Sequence, residues 1–210
     1  MNFEAALFDL DGVLIDTESK YTQFWDAIGR KFGLCPTFAW DIKGSTLPTI
    51  LATFFPEEEH EELENAIHRY EDEMIFELFE GVNAFLDALK DSHIPMAIVT
   101  SSDNKKMVSL EKQLPELTSK MDVVINGSMV TNSKPHPEGY LTAARKLGKN
   151  PSQCIVFEDS MQGLEAGRRA GCKVVGLATT NSLDKIAPLC DITITSWNDI
   201  TPEKLGFRKL

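Results

Sequence analysis

A chain of 210 residues with 42% hydrophobic and 25% charged side chains can bury one sizeable core, with room for a smaller second lobe, and is ordinary in composition for a globular protein. Its formal net charge of −11 repels nucleic acid and anionic membranes, so neither is expected as a partner, and an anionic substrate would need a positive field supplied inside its own site. No stretch reaches the ~20 apolar residues of a membrane span. The N-terminal MNFEAALFDLDG lacks the basic and long apolar regions of a secretory leader. Cys35, Cys154, Cys172 and Cys190 form no C-x-x-C pair and are expected as buried thiols in a reducing, cytoplasmic compartment.

In chain order, the first element is the apolar run Ala5–Leu10, which predicts a buried parallel strand. A region from Asp16 to about Glu80 follows with helical patterns and no strand. Its apolar stripes are Tyr21, Phe24, Trp25, Ile28 and Phe32; then Leu47, Ile50, Leu51, Phe54 and Phe55; then Leu63, Ile67, Tyr70, Met74 and Leu78. Pro56 and the acidic run Glu57, Glu58, Glu59 mark a loop and a solvated helix start within it. The chain then alternates. Val82, Phe85, Leu86 and Leu89 predict a helix, Met96–Thr100 a strand, Val123–Ile125 a strand, and Tyr140, Leu141, Ala144 and Leu147 a helix. Further strands are expected at Ile155–Phe157, Val174–Leu177 and Ile192–Ile194. Between them, Gly163, Ala166, Gly167, Ala170 and Gly171 suit a helix packed close on the sheet. Such alternation predicts a doubly wound α/β fold with a parallel sheet. The expected division is a core of residues 1–15 and 81–210, with residues 16–80 as a small all-helical domain over the carboxyl end of the sheet.

The chemistry-bearing residues stand where those strands end. Asp9 and Asp11 in D-L-D-G put two carboxylates just past an apolar strand, where they are unfavourable unless something uses them. A calcium loop would need more oxygen ligands after the glycine, and Val13, Leu14 and Ile15 supply none. Thr100, Ser101 and Ser102 end the second strand; their hydroxyls and backbone N–H groups suit phosphate oxygens, or simply cap a helix. Lys134 in S-K-P follows the third strand, and Glu158 and Asp159 in F-E-D-S end the fourth. In a parallel sheet these ends face one crevice. His60, His68, His93 and His136 show no ligand spacing, although His136 stands near Lys134.

With D-L-D-G-V, I-V-T-S-S, S-K-P and F-E-D-S in this order, the chain resembles the haloacid dehalogenase superfamily of phosphohydrolases over nearly its whole length. Within it, the chain is similar to the β-phosphoglucomutase-like subfamily, which has a Rossmannoid core and a helical cap inserted after the first motif. The resemblance implies Asp9 as a nucleophile that forms an aspartyl phosphate, and Asp11 as general acid and then base. It implies Thr100, Ser101 and Asn104 as phosphate-binding groups and Lys134 as the cation that offsets their charge. Magnesium would be held by Asp9, the backbone carbonyl of Asp11, Asp159 and, directly or through water, Glu158. The expected activity is hydrolysis of a small phosphorylated metabolite, a sugar phosphate foremost, by a monomer. A phosphosugar mutase is the alternative. Two departures favour hydrolysis. β-Phosphoglucomutases carry a histidine ten residues after the acid/base aspartate, where this chain has Tyr21. They carry an arginine four residues after a cap lysine, where this chain has Leu47 after Lys43. A non-catalytic phosphate-binding protein would not need the full set of Asp9, Asp11, Lys134 and Asp159. A dehalogenase would have no use for Asp11.

Overall fold

A computed structural model describes residues 3–207. Six strands form one parallel sheet: β1 (Ala5–Phe8), β2 (Met96–Val99), β3 (Val123–Ile125), β4 (Cys154–Glu158), β5 (Lys173–Leu177) and β6 (Ile192–Ile194). Their order is β3-β2-β1-β4-β5-β6, with Leu7 opposite both Ala97 and Val156. All six expected strands are present, and the α/β class is as the alternation predicts. The strand order reverses direction between β1 and β4, which places a crevice beyond their carboxyl ends.

Successive residues of β1 feed opposite faces of the sheet, as a pleated strand requires. Ala6 and Phe8 join a cluster with Phe85, Phe157 and Trp197. Ala5 and Leu7 join a second cluster with Val156, Tyr140, Ala143 and Leu164. On the first face Phe8 stacks on Phe157 at 4.8 Å between ring centroids. The Trp197 indole N–H donates to the Val13 carbonyl at 2.9 Å and ties that face to the turn after β1.

Helices α1 (Glu18–Lys31), α2 (Phe38–Asp41), α3 (Leu47–Phe54) and α4 (His60–Asp72) lie between β1 and α5 (Val82–Asp91). They bury a separate cluster in which Trp25, Phe38, Ile50, Phe55, Leu63 and Ile67 meet. This is the expected all-helical cap. Its third stripe runs shorter than the periodicity implies: α4 stops at Asp72, Met74 turns into the sheet-side cluster, and Leu78 pairs with Ile15 in an antiparallel bridge. The two chain segments joining cap to sheet therefore run side by side, with Asp16 N–H donating to Glu77 O at 2.9 Å and Phe79 N–H to Leu14 O at 3.1 Å.

The second half of the chain adds α6 (Asn104–Gln113), α7 (Pro115–Ser119), α8 (Glu138–Lys146) and α9 (Met161–Arg169). On α8 the buried residues are Tyr140, Ala143 and Ala144, while Leu141 faces solvent. The reason is helical geometry: position 141 is one step from 140, a rotation of about 100° off the buried face. On α9 Gly163 and Gly167 lie against the sheet, as their size suggests; a Cβ on Gly163 would land on the Glu158 carboxylate. Cys154 and Cys172 are buried as expected and Cys190 is half-buried, but Cys35 is exposed on the cap; all four are free. No helix of the described residues is long and apolar enough to cross a membrane.

Candidate active site

Asp9 is the first residue past β1, and its N–H still pairs with the Phe157 carbonyl at 3.0 Å, so the strand fixes where the carboxylate starts. The buried Lys134 ammonium binds Asp9 Oδ1 at 2.5 Å, Glu158 Oε1 at 2.6 Å and the Val99 carbonyl at 3.2 Å. Its peptide bond to Pro135 is cis. Burial favours a neutral amine at Lys134, yet the two carboxylates outweigh this and raise its ammonium above the usual lysine range. Asp9 is raised well above the usual carboxylate range by burial, opposed by Lys134 and reinforced by Glu158 and Asp11.

Glu158 is the most constrained acid of the site. Its Oε1 takes Lys134 and the Tyr140 hydroxyl at 2.9 Å; its Oε2 takes Asp159 N–H at 2.9 Å and both the N–H and hydroxyl of Ser160 at 3.0 Å. The carboxylate so fully used by protein donors acts on Lys134 and on the turn into α9. Asp159 is the opposite case: both its carboxylate oxygens are buried and, among the described residues, have no hydrogen-bond partner. Burial, with the nearby charges of Glu18, Glu158 and Asp9, raises its carboxyl well above the usual range. A buried, unpaired carboxylate is unfavourable by itself and is stabilised by a cation. Carboxylate oxygens of Asp9, Glu158 and Asp159 lie within 4.8 Å of one another, an all-oxygen donor set of the kind that suits magnesium. The structure thus brings these three together, as their strand ends predict. Gly12, at φ +79°, has no room for a side chain, because a Cβ there would meet Asp159.

Asp11 sits on the other side of the crevice, in a hydrogen-bonded setting that the sequence does not announce. Its Oδ1 takes the Lys106 ammonium at 2.5 Å and the Thr17 hydroxyl; its Oδ2 takes the Ser102 hydroxyl at 2.9 Å. Burial alone would raise this carboxyl, but the Lys106 charge and these bonds hold it below the usual range. Lys106 is fully buried and stands 4.4 Å from the Tyr21 ring centroid.

The remaining expected residues are placed as follows. Thr100 lines the cavity and its hydroxyl accepts from Ser102 N–H at 3.0 Å. Ser101 also lines it and donates to the Gly44 carbonyl at 2.7 Å, a direct link between sheet and cap. Asn104 is exposed at the start of α6; its Oδ1 accepts from Asn126 Nδ2 at 2.7 Å, and it is not among the residues lining the cavity. Leu47 and Tyr21 both line it, with the Tyr21 hydroxyl donating to Glu71 Oε1 at 2.7 Å. The cavity, about 120 Å³, lies between cap and sheet. Sequence reasoning missed Lys106, Glu18, Glu71 and the group in which His68 stands 3.3 Å from Glu71 Oε2 and 3.5 Å from Asp103 Oδ2. These contacts join residues far apart in the chain, and no local spacing signals them.

The chain has known relatives. The profile of the haloacid dehalogenase-like hydrolases matches residues 6–177. Validoxylamine A 7′-phosphate phosphatase of Streptomyces hygroscopicus subsp. limoneus is 31% identical over 222 residues, covering 95% of this chain and 99% of the relative. Hexitol phosphatase A of Escherichia coli (strain K12) is 30% identical, covering 97% of this chain and 96% of the relative. The crystal structure of a β-phosphoglucomutase from Clostridium difficile superposes with a TM-score of 0.80 at 27% identity, covering 97% of this chain and 95% of that one. With a paired Asp9 after β1, an unpaired Asp159 after β4 and a buried Lys134 from the segment after β3 meeting beyond such a sheet, the chain belongs to the haloacid dehalogenase-like hydrolase family and is a phosphohydrolase.

Proposed function

We propose that the protein is a magnesium-dependent phosphatase that hydrolyses a small phosphorylated metabolite, a sugar or polyol phosphate, through an aspartyl phosphate on Asp9. The observation that carries this is the pairing of opposites at one point: Asp9 held by Lys134, beside the unpartnered Asp159. Asp9, Asp159 and the Asp11 carbonyl would hold magnesium, with Glu158 reaching it through water, since its oxygens already serve five protein donors. When bound, the ion offsets the charge of the carboxylates and of the phosphoryl oxygens.

The chain's own groups then do the following. Lys134 occupies Asp9 Oδ1 and orients the carboxylate, so that Oδ2 attacks phosphorus and the ester oxygen leaves. Thr100 and Ser101 bind the phosphoryl oxygens, and the Lys134 ammonium stabilises charge that grows there. Asp11, held ionised by Lys106, is set up as the base that takes a proton from the attacking water in the second step. To act as the acid for the leaving alcohol in the first step it must leave Lys106 and gain a proton. Residues 16–80, joined to the sheet through the paired backbone at Ile15 and Leu78, form the cap; closing it would exclude water and place Asp11 on the leaving oxygen.

By their names, one relative is a validoxylamine A 7′-phosphate phosphatase and another a hexitol phosphatase, which supports the substrate class. A mutase is the second reading, favoured by the likeness to β-phosphoglucomutase. Against it, an apolar Leu47 lines the cavity and offers no bidentate grip on the second phosphate of a bisphosphate. The deciding experiment supplies β-glucose 1-phosphate with catalytic glucose 1,6-bisphosphate and magnesium, beside a panel of sugar and polyol phosphates. Free phosphate that disappears with EDTA is expected. Glucose 6-phosphate forming much faster than free phosphate overturns the phosphatase reading. Trapping radiolabel from a substrate phosphate on a residue other than Asp9 overturns the mechanism.

A further inference from the structure

Beyond the phosphoryl group, the cavity has to receive the alcohol that leaves. The charged groups around that volume are unequal in sign. On the cap side stand Glu18, Lys43 and Glu71, and on the sheet side Asp103. The Lys43 ammonium is already bound to Glu18 Oε2 and rides 4.8 Å from the Trp40 ring centroid. Among the described residues no lysine or arginine is bound to Glu71: its oxygens take the Tyr21 hydroxyl and His68 Nδ1. Asp103 Oδ1 caps α6 by accepting Lys106 N–H at 3.0 Å, and its Oδ2 shares the same imidazole. Lys106 itself points to Asp11. Among the described residues no arginine lines the cavity.

Resting on the phosphatase reading, we infer that this cavity selects monophosphate esters whose leaving alcohol bears hydroxyls or an ammonium and rejects those that bear a second anion, with Glu18 and Glu71 as the groups that discriminate. A carboxylate or second phosphate on the leaving group would face Glu71 and Asp103. Both nearby lysines are engaged: Lys43 could serve it only by abandoning Glu18, and Lys106 only by abandoning Asp11. Either exchange leaves a half-buried carboxylate unpaired, so it gains little. Hydroxyls meet the opposite situation. Glu18, Glu71, Thr22 and Ser45 all line the cavity and accept hydrogen bonds, and Trp25, Ile42 and Ile50 give the carbon skeleton an apolar wall. An ammonium adds charge attraction to the same carboxylates. Burial raises the Glu71 carboxyl above its usual range, against the Lys106 charge and the hydrogen bonds from Tyr21 and His68. The discrimination is a property of the cap, distinct from the Asp9, Lys134 and Asp159 group that handles phosphorus.

The test measures binding by calorimetry in the full chain carrying Asp9→Asn, with magnesium, so that affinity is read whether or not an ester turns over. Sorbitol 6-phosphate and 6-phosphogluconate are a matched open-chain pair, neutral against anionic. Glucosamine 6-phosphate and glucose 6-phosphate are a matched ring pair, cationic against neutral. We expect sorbitol 6-phosphate to bind about tenfold or more tightly than 6-phosphogluconate, and glucosamine 6-phosphate at least as tightly as glucose 6-phosphate. Glu18→Gln should free Lys43 and improve 6-phosphogluconate binding, and Glu71→Gln should narrow both ratios. Circular dichroism confirms that each variant is folded, and either variant alone suffices. Equal affinities within both pairs, a preference for the carboxylate, no binding of any of the four, or ratios unmoved in a folded variant overturns the inference. Absence of phosphate release by the unsubstituted enzyme, with the ratios as expected, overturns the phosphatase reading alone.

Discussion

The two walls of the cavity are built by different means. On the sheet side, the ends of β1 and β4, with Lys134 from the segment after β3, place Asp9, Lys134, Glu158 and Asp159, and every one of these side chains is buried. Their positions follow from backbone pairing, as with Asp9 N–H on Phe157 O. On the cap side, Glu18, Lys43 and Glu71 come from helices and a loop that hold their own apolar cluster around Trp25 and Phe38. The sheet fixes charge in a rigid frame, which phosphoryl transfer needs, because its catalysis is positioning and electrostatics. The cap can vary its lining without disturbing that frame. The difference suggests that chemistry resides in one wall and selection in the other, and each of the following measurements can break that division.

The largest effect is expected from Asp9→Asn, which should remove turnover by about 10⁴-fold or more, as other nucleophile deletions do. Steady-state phosphate release checks it, and magnesium-dependent hydrolysis within tenfold of the unsubstituted rate would move the chemistry away from the sheet wall. Lys134→Met should come next. It leaves Asp9 and Glu158 as buried carboxylates without their cation and should lower stability by about 3–5 kcal/mol, measured by urea unfolding. An unchanged midpoint would mean that Lys134 does not hold the two acids together.

Trp25→Ala removes the centre of the cap cluster and should destabilise by about 3–5 kcal/mol if cap and sheet unfold together. If the two walls are as separate as their clusters suggest, the rise in midpoint produced by magnesium should survive this substitution. Losing both together would show that the cap supports the metal site directly.

Asp159→Asn should act with two signs. Without metal, replacing an unpartnered buried carboxylate should raise stability, on the order of 1–3 kcal/mol, because the charge that burial disfavours is gone. With magnesium, the protection that the ion gives the unsubstituted protein should vanish. Thermal unfolding at two metal concentrations reads both, and destabilisation of the metal-free protein would contradict the orphaned state of Asp159.

The smallest effect concerns the thiols. At pH 8 iodoacetamide should modify Cys35, which is exposed and whose thiol the Thr37 hydroxyl lowers from its usual range. Burial pushes Cys154 and Cys190 up to about 11 and Cys172 up to about 12, so these should stay unlabelled until the chain unfolds. Mass spectrometry of the labelled peptides distinguishes them, and early labelling of Cys154 would show that the sheet opens without global unfolding.

Much of the sheet wall was legible in the chain itself. A run such as Ala-Ala-Leu-Phe followed at once by Asp has a local meaning: an apolar strand that ends in a carboxylate. Parallel topology then brings such ends together without further information. The cap helices were legible from 3.6-residue spacing, but their ends were not, and α4 stops short at Asp72 because tertiary contacts draw Met74 and Leu78 elsewhere. Leu141 and Cys35 looked like core by composition and are exposed, since apolar character does not fix which side of an element faces inward.

By itself, then, the sequence determined the α/β class, the order of the strand-end motifs and the acids, hydroxyls and lysine that those ends deliver, because each depends on neighbours within a few residues. Only the tertiary structure decided how they are partnered. Lys106, in a polar N-K-K-M run that reads as surface, is buried against Asp11, 95 residues away. Glu158 became the anchor of Lys134, while Asp159 beside it was left without a donor. Glu71 and Asp103 came to share His68 across the seam between cap and sheet. The charge of a buried acid depends on which distant donor the fold brings to it, and no spacing along the chain records that.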